Sequence, residues 1–137
     1  MLIAVNFSPS ITHTILSALS GIPSVQIPSS SYSVAYGSQI RLQCVVNSIP
    51  PATSIEWRKT YQGVTTTINF GQSKYSGGTI TDPSLRIFNA DLSDEASYVC
   101  SATNIVGTGS SRDITLSVVV CKYDFTNYCN LEFDLHF

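Results

Sequence analysis

Apolar and polar residues alternate in short runs through the middle of the chain. In Gln39-Ile40-Arg41-Leu42-Gln43-Cys44-Val45, the residues Ile40, Leu42 and Cys44 alternate with polar ones, the period-two pattern of a strand with one buried face. In Ala96-Ser97-Tyr98-Val99-Cys100-Ser101-Ala102 the residues at 96, 98, 100 and 102 share a face, because successive strand side chains point to opposite sides. Both sulfurs then face the space between two sheets, and a Cys44–Cys100 bridge is geometrically reasonable. Turn-forming clusters punctuate the runs at Pro28 to Ser31, Asn47 to Pro51, Tyr61-Gln62-Gly63, Ser76-Gly77-Gly78, Asp82-Pro83, and Asn104 to Gly109. Val, Ile, Thr and Tyr fill the runs, as suits half-buried pleated surfaces. Many short strands without a helical stripe predict an all-β, two-sheet sandwich with Greek-key connections.

Residues 23–120 resemble one immunoglobulin domain of the intermediate type, found in cell-adhesion molecules, hemicentin-like matrix proteins and titin-like muscle proteins. The resemblance rests on Gly37, Cys44, Trp57, Leu85 and Ile87, on the run from Asp94 to Cys100, and on Ala102, Asn104, Gly107, Leu116 and Val118. Ala96 departs from it, standing where the family usually has glycine. The resemblance implies a Cys44–Cys100 disulfide between the sheets, with Trp57 packed on it and Leu85 and Leu116 in the core. It implies that Tyr98 is the tyrosine of the family's corner motif, its hydroxyl bonded to upstream backbone. It also assigns Asp94 a structural bond at the bottom of the sandwich.

Composition then removes several function classes. With 43% hydrophobic residues and 12% charged ones, the chain is neither disordered nor rich in surface charge. A net charge of -2 and seven scattered Lys and Arg give no electrostatic footprint for a phosphate backbone, so nucleic acid is not an expected partner. No apolar stretch approaches the ~20 residues that cross a bilayer, so no membrane insertion is expected. The two histidines, His13 and His136, fall in the flanks, which leaves the sandwich without a base for a Ser-His or Cys-His pair. The expectation is a chain with no enzymatic activity. The four cysteines lack the close paired spacing of a zinc site. Asp91, Asp94 and Glu95 crowd one segment but do not by themselves make the converging oxygen cage a hard cation needs. Neither metal nor cofactor is expected. Gly107-Thr108-Gly109 lies between two strands and reads as a turn rather than a phosphate loop. Thr65-Thr66-Thr67 reads as a polar edge strand.

The flanks differ in character. Residues 1–22 carry an apolar bias and a small-x-small pattern at Ala18-Leu19-Ser20, a partial match to a secretory signal cleaved before Gly21. No basic residue stands near the start, and Asn6, Ser8, Pro9 and His13 interrupt the apolar stretch. Asn6-Phe7-Ser8 is a glycosylation sequon within this segment. Residues 121–137 are rich in aromatics without helical or strand periodicity, and Cys121 and Cys129 could pair there or stay unpaired. Both flanks are expected to be poorly ordered, around one unit of a longer multi-domain protein. The resemblance implies an extracellular, protein-binding or adhesion module whose partners are other proteins, including other immunoglobulin domains or its own kind. Its alternatives are a secreted immune-recognition protein and an intracellular structural module of a titin-like filament. Candidate contact residues lie on the connecting loops: Tyr61, Gln62, Asn104 and Val106.

Overall fold

The computed structural model describes residues 20–120 and the backbone of 122–123 and 129–130. Its strands are β1 (Ser24–Gln26), β2 (Ser31–Ala35), β3 (Ile40–Leu42), β4 (Val45–Asn47), β5 (Ser54–Tyr61), β6 (Val64–Thr67), β7 (Tyr75–Gly77), β8 (Leu85–Ile87), β9 (Ser97–Thr103), β10 (Thr108–Ser110), β11 (Ile114–Val119), β12 (Lys122–Tyr123) and β13 (Cys129–Asn130). One layer runs β2-β11-β9-β5-β6, with β10 also paired to β9. The opposing layer comprises β3-β8-β7 and the pair β1-β4. Across β1 to β11 the chain changes layer at β1–β2, β2–β3, β4–β5, β6–β7 and β8–β9, and the β4–β5 and β8–β9 crossings are Greek-key connections. The fold is the all-β sandwich expected from the alternation.

Burial follows the alternation. Leu42, Trp57, Leu85, Ile87, Tyr98, Cys100, Ile114 and Leu116 are fully buried and pack in one cluster between the layers. Cys44 is bonded to Cys100 across the layers, with Cα atoms 6.5 Å apart and a sequence separation of 56. A closure of that length stabilises by ~4 kcal/mol in the chain-entropy view. The β5–β9 register sets Trp57 opposite Cys100, so the indole stands beside the bridge. Its Nε1–H donates to the Pro83 carbonyl at 2.7 Å, which gives the buried ring its polar partner.

Some local expectations change in the fold. The run through Cys44 is not one uninterrupted strand: the ladder stops at Gln43–Cys44, β3 pairs with β8, and β4 pairs with β1. The buried Ser84 covers the break, its Oγ accepting from the Cys44 N–H at 3.0 Å. Ser76 and Gly77, read as a turn, belong to β7. Gly77 has φ +88°, and a Cβ there would lie 2.0 Å from the Ser84 carbonyl oxygen. The glycine therefore marks close backbone approach inside a strand. Thr108 and Gly109, read as part of a turn, start a strand of their own against β9. A Cβ at Gly109 would meet the Pro23 carbonyl oxygen at 1.9 Å, so this glycine admits the incoming chain.

The Gly21 N–H donates to the Ile49 carbonyl at 3.0 Å. In the tail, where no periodicity is visible, β12 and β13 pair antiparallel over two residues each, too short a run for a period to register. The signal-like features, the Asn6 sequon, both histidines and the state of Cys121 and Cys129 lie outside the described residues.

Candidate functional site

The four candidate contact residues do not form one surface. Strand β5 runs from Ser54 opposite Thr103 to Thr60 opposite Ser97. Asn104 and Val106 therefore lie beyond one end of the sandwich and Tyr61 and Gln62 beyond the other, roughly 20 Å away at strand rise. Tyr61 is half-buried beside the Lys59 ammonium, which stands 5.7 Å from its ring centroid. Gln62 is exposed at a two-residue turn, where it and Gly63 have φ values of 48° and 79°. Positive φ at both positions is the geometry of a tight hairpin turn.

Asn104 is a correction. It is 4% exposed and so presents no surface to a partner. Its Nδ2 donates to the Gly21 carbonyl at 2.7 Å, the Ser48 hydroxyl at 3.1 Å and the Pro50 carbonyl at 3.1 Å. Its Oδ1 accepts from the Val106 N–H at 2.8 Å and the Gly107 N–H at 3.1 Å. One neutral amide thus ties the incoming chain, the β4–β5 loop and the β9–β10 turn together. A loop asparagine reads from sequence as a surface residue, and only the convergence of three distant segments reveals it as a pin.

Around that pin the surface is apolar. Ile22, Ile49, Ile105 and Val106 are exposed by 56%, 57%, 83% and 52%. Ile22 packs on the β9–β10 turn, since a Cβ at Gly107 would lie 2.9 Å from its Cγ2. None of residues 20–26, 47–53 or 103–109 carries an ionisable side chain. Of these four only Val106 is named singly from the sequence, while Ile49 and Ile105 fall within the loops Asn47 to Pro51 and Ile105 to Gly109 that it marks as exposed candidates. The others lie in different segments, and single exposed aliphatics carry no signal until the fold groups them.

The opposite end holds its charges. Asp94, fully buried, takes Lys74 Nζ at 2.7 Å on Oδ2 and Lys59 Nζ at 3.4 Å on Oδ1. The Asp91 N–H also donates to Asp94 Oδ2 at 2.9 Å, and the Tyr98 hydroxyl donates to the Asp94 carbonyl at 2.8 Å. The tyrosine-corner bond and the structural role for Asp94 thus sit in one cluster. Burial raises the Tyr98 phenol well above its ordinary value. The Ser93 hydroxyl, with Lys74, holds the Asp91 carboxyl down at about 2. Burial opposes the charge on Lys74, yet its bonds to Asp94 and Asp91 outweigh that and raise its pKa. Among the described residues no three His, Cys, Asp or Glu side chains gather as metal ligands.

Residues 22–104, which hold Cys44, Trp57, Tyr98 and Cys100, match a known family described as an immunoglobulin domain. The chain belongs to that family. Human hemicentin-1 is 35% identical over 98 residues, 72% of this chain and 2% of the relative. Contactin-6 of Rattus norvegicus is 40% identical over 78 residues, 57% of this chain and 7% of the relative. A titin homolog of Caenorhabditis elegans is 30% identical over 94 residues, 69% of this chain. Among solved structures, the tandem Ig repeats of Dlar superpose with a TM-score of 0.62 at 27% identity, covering 74% of this chain and 50% of that one. The chain thus spans a small part of the curated relatives it matches, on the scale of one immunoglobulin module.

Proposed function

We propose that this immunoglobulin domain is a non-catalytic protein-binding and adhesion module of an extracellular protein, and that it binds through the apolar N-terminal pole. The observation that carries the reading is the grouping of Ile22, Ile49, Ile105 and Val106 on an uncharged surface held in shape from beneath by Asn104. Exposed aliphatics on a pre-ordered scaffold bind with little ordering cost, because the loops are already fixed. Four such residues at one end are a contact patch, whereas scattered singly they would need no explanation. The extracellular assignment is supported by the Cys44–Cys100 bridge, since such bonds form and persist in oxidising compartments. The intermediate-type assignment is supported by the parallel pairing of β2 with β11 alongside the pairing of β1 with β4. Residues 20–120 are the proposed extent of the module, because Gly21 is bonded into it.

The test is pairwise binding of the full chain against a panel of extracellular immunoglobulin ectodomains, itself included. The paired substitutions Ile105→Asp and Val106→Asp should abolish binding while leaving the thermal transition in place. Binding that survives both changes would move the contact surface elsewhere. Free thiols at Cys44 and Cys100 in the protein from its native source would instead favour the intracellular filament reading.

A further inference from the structure

The outer edge of β6 is an open row of backbone donors and acceptors. Ile68 N–H donates to the Trp57 carbonyl at 2.8 Å, so Trp57 and Ile68 form a hydrogen-bonded pair. Alternation along an antiparallel ladder then makes Lys59–Thr66 and Tyr61–Val64 the other hydrogen-bonded pairs. The N–H and C=O groups of Thr65 and Thr67 therefore face away from β5. Strand β6 is the last of its layer, and these four groups have no backbone partner among the described residues.

Two other edges, β1 and β7, carry blocking features, whereas β2, at the opposite edge of the β6 layer, reads Ser31-Tyr32-Ser33-Val34-Ala35 and carries none within it. Strand β1 lies between Pro23 and Pro28, and β7 follows Lys74 and ends in Gly77. Proline and lysine are the residues that keep edges from pairing, and glycine weakens a strand. Strand β6 follows Gly63 but holds none of them within it: its residues are Val64, Thr65, Thr66 and Thr67, all exposed. They are β-branched, suited to the pleat, and carry no charge that would repel a like strand.

We propose that β6 is a homophilic interface, taking the β6 of a second copy of this chain in antiparallel register about a twofold axis through Thr66. Thr65 of one copy then faces Thr67 of the other, and each pair exchanges two hydrogen bonds, four in all. The register is self-complementary because the open groups sit symmetrically one residue to either side of Thr66. The layers of the two copies join into one sheet through β5-β6-β6-β5. This surface is separate from the N-terminal pole and stands whether or not that pole binds a partner.

The test uses charge complementation in the full chain. One variant carries Thr65→Lys and Thr67→Lys, and a second carries Thr65→Glu and Thr67→Glu. Sedimentation should show a concentration-dependent dimer for the native chain, with its dissociation constant raised about 10-fold or more in either variant alone, where like charges face each other. An equimolar mixture of the two should recover the dimer as a Lys–Glu heterodimer. Amide exchange at Thr65 and Thr67 should slow as protein concentration rises. A chain that stays monomeric to millimolar concentration overturns the proposal. So does a dimer indifferent to both variants, in which case loss on Ile105→Asp with Val106→Asp would place self-association at the pole. Protection of both amides at every concentration would mean that the chain's own flank covers this edge, and also overturns it.

Discussion

The two ends of the sandwich solve the same problem with different chemistry. Beyond Thr103, a neutral amide gathers three segments through five hydrogen bonds, and no ionisable side chain is present in those segments. Before Ser97, a buried carboxylate gathers two lysines and a backbone N–H, with the tyrosine corner bonded to the same residue. Hydrogen bonds between neutral groups respond little to pH or salt, whereas ion pairs follow both. The neutral pin also leaves the surface above it uncharged, which suits an apolar contact. The charged cluster spends its carboxylates internally and leaves a closed, structural end.

The comparison fails first if the ends unfold independently, and the core between them decides that. Trp57→Ala should cost about 3–5 kcal/mol from lost burial and the cavity left behind. Both ends should then melt together in a single urea transition, and two transitions would show that the shared core does not couple them. Asp94→Ala should cost about 3 kcal/mol, since it leaves the half-buried Lys59 without its carboxylate and Lys74 with Asp91 alone. Asn104→Ala should cost about 2–3 kcal/mol by leaving several partly buried backbone groups unpaired. In chemical denaturation at varied salt, the Asp94 variant should change the ionic-strength dependence of stability and the Asn104 variant should not. An equal response in both would mean that the two ends are held by forces of the same kind.

Acid titration sharpens the contrast further. The Asp91 carboxyl is held down at about 2 by Ser93 and Lys74, against an ordinary 3.8. A depressed folded pKa contributes stability that is present above the unfolded value and lost as pH falls through the folded one. Part of the stability should therefore disappear between pH 4 and pH 2, and Asp91→Asn should flatten that limb of the pH profile. The contribution is modest because the Asp91 side chain is 44% exposed and solvent screens it. The smallest effect is expected at the apolar pole itself. Ile105→Asp should change stability by less than ~0.5 kcal/mol, as surface substitutions do. A larger loss in thermal melts would show that Ile105 supports the fold instead of offering a contact.

The alternation around Cys44 and Cys100, the turn clusters and the position of Trp57 were enough to predict the sandwich. Each is local: a two-residue period marks a half-buried strand wherever it occurs, and the buried Leu85 and Leu116 lie on such periods. The triple threonine likewise announced an exposed edge strand from its residue types alone. What escaped the sequence depends on segments distant along the chain. Ser84 is an ordinary loop serine until the Cys44 N–H is found over its hydroxyl. Gly77 and Gly109 look like turn residues until the Ser84 and Pro23 carbonyls are found against them. Asn104 reads as a loop surface residue until Gly21, Ser48 and Pro50 converge on it, a contact spanning 83 residues in its longest reach. Periodicity reports which face of a strand is buried, because that is set by the pleat. Which loops meet at a pole, and which backbone groups are left open at an edge, is set only when the layers are stacked, and there the tertiary structure decided both candidate surfaces.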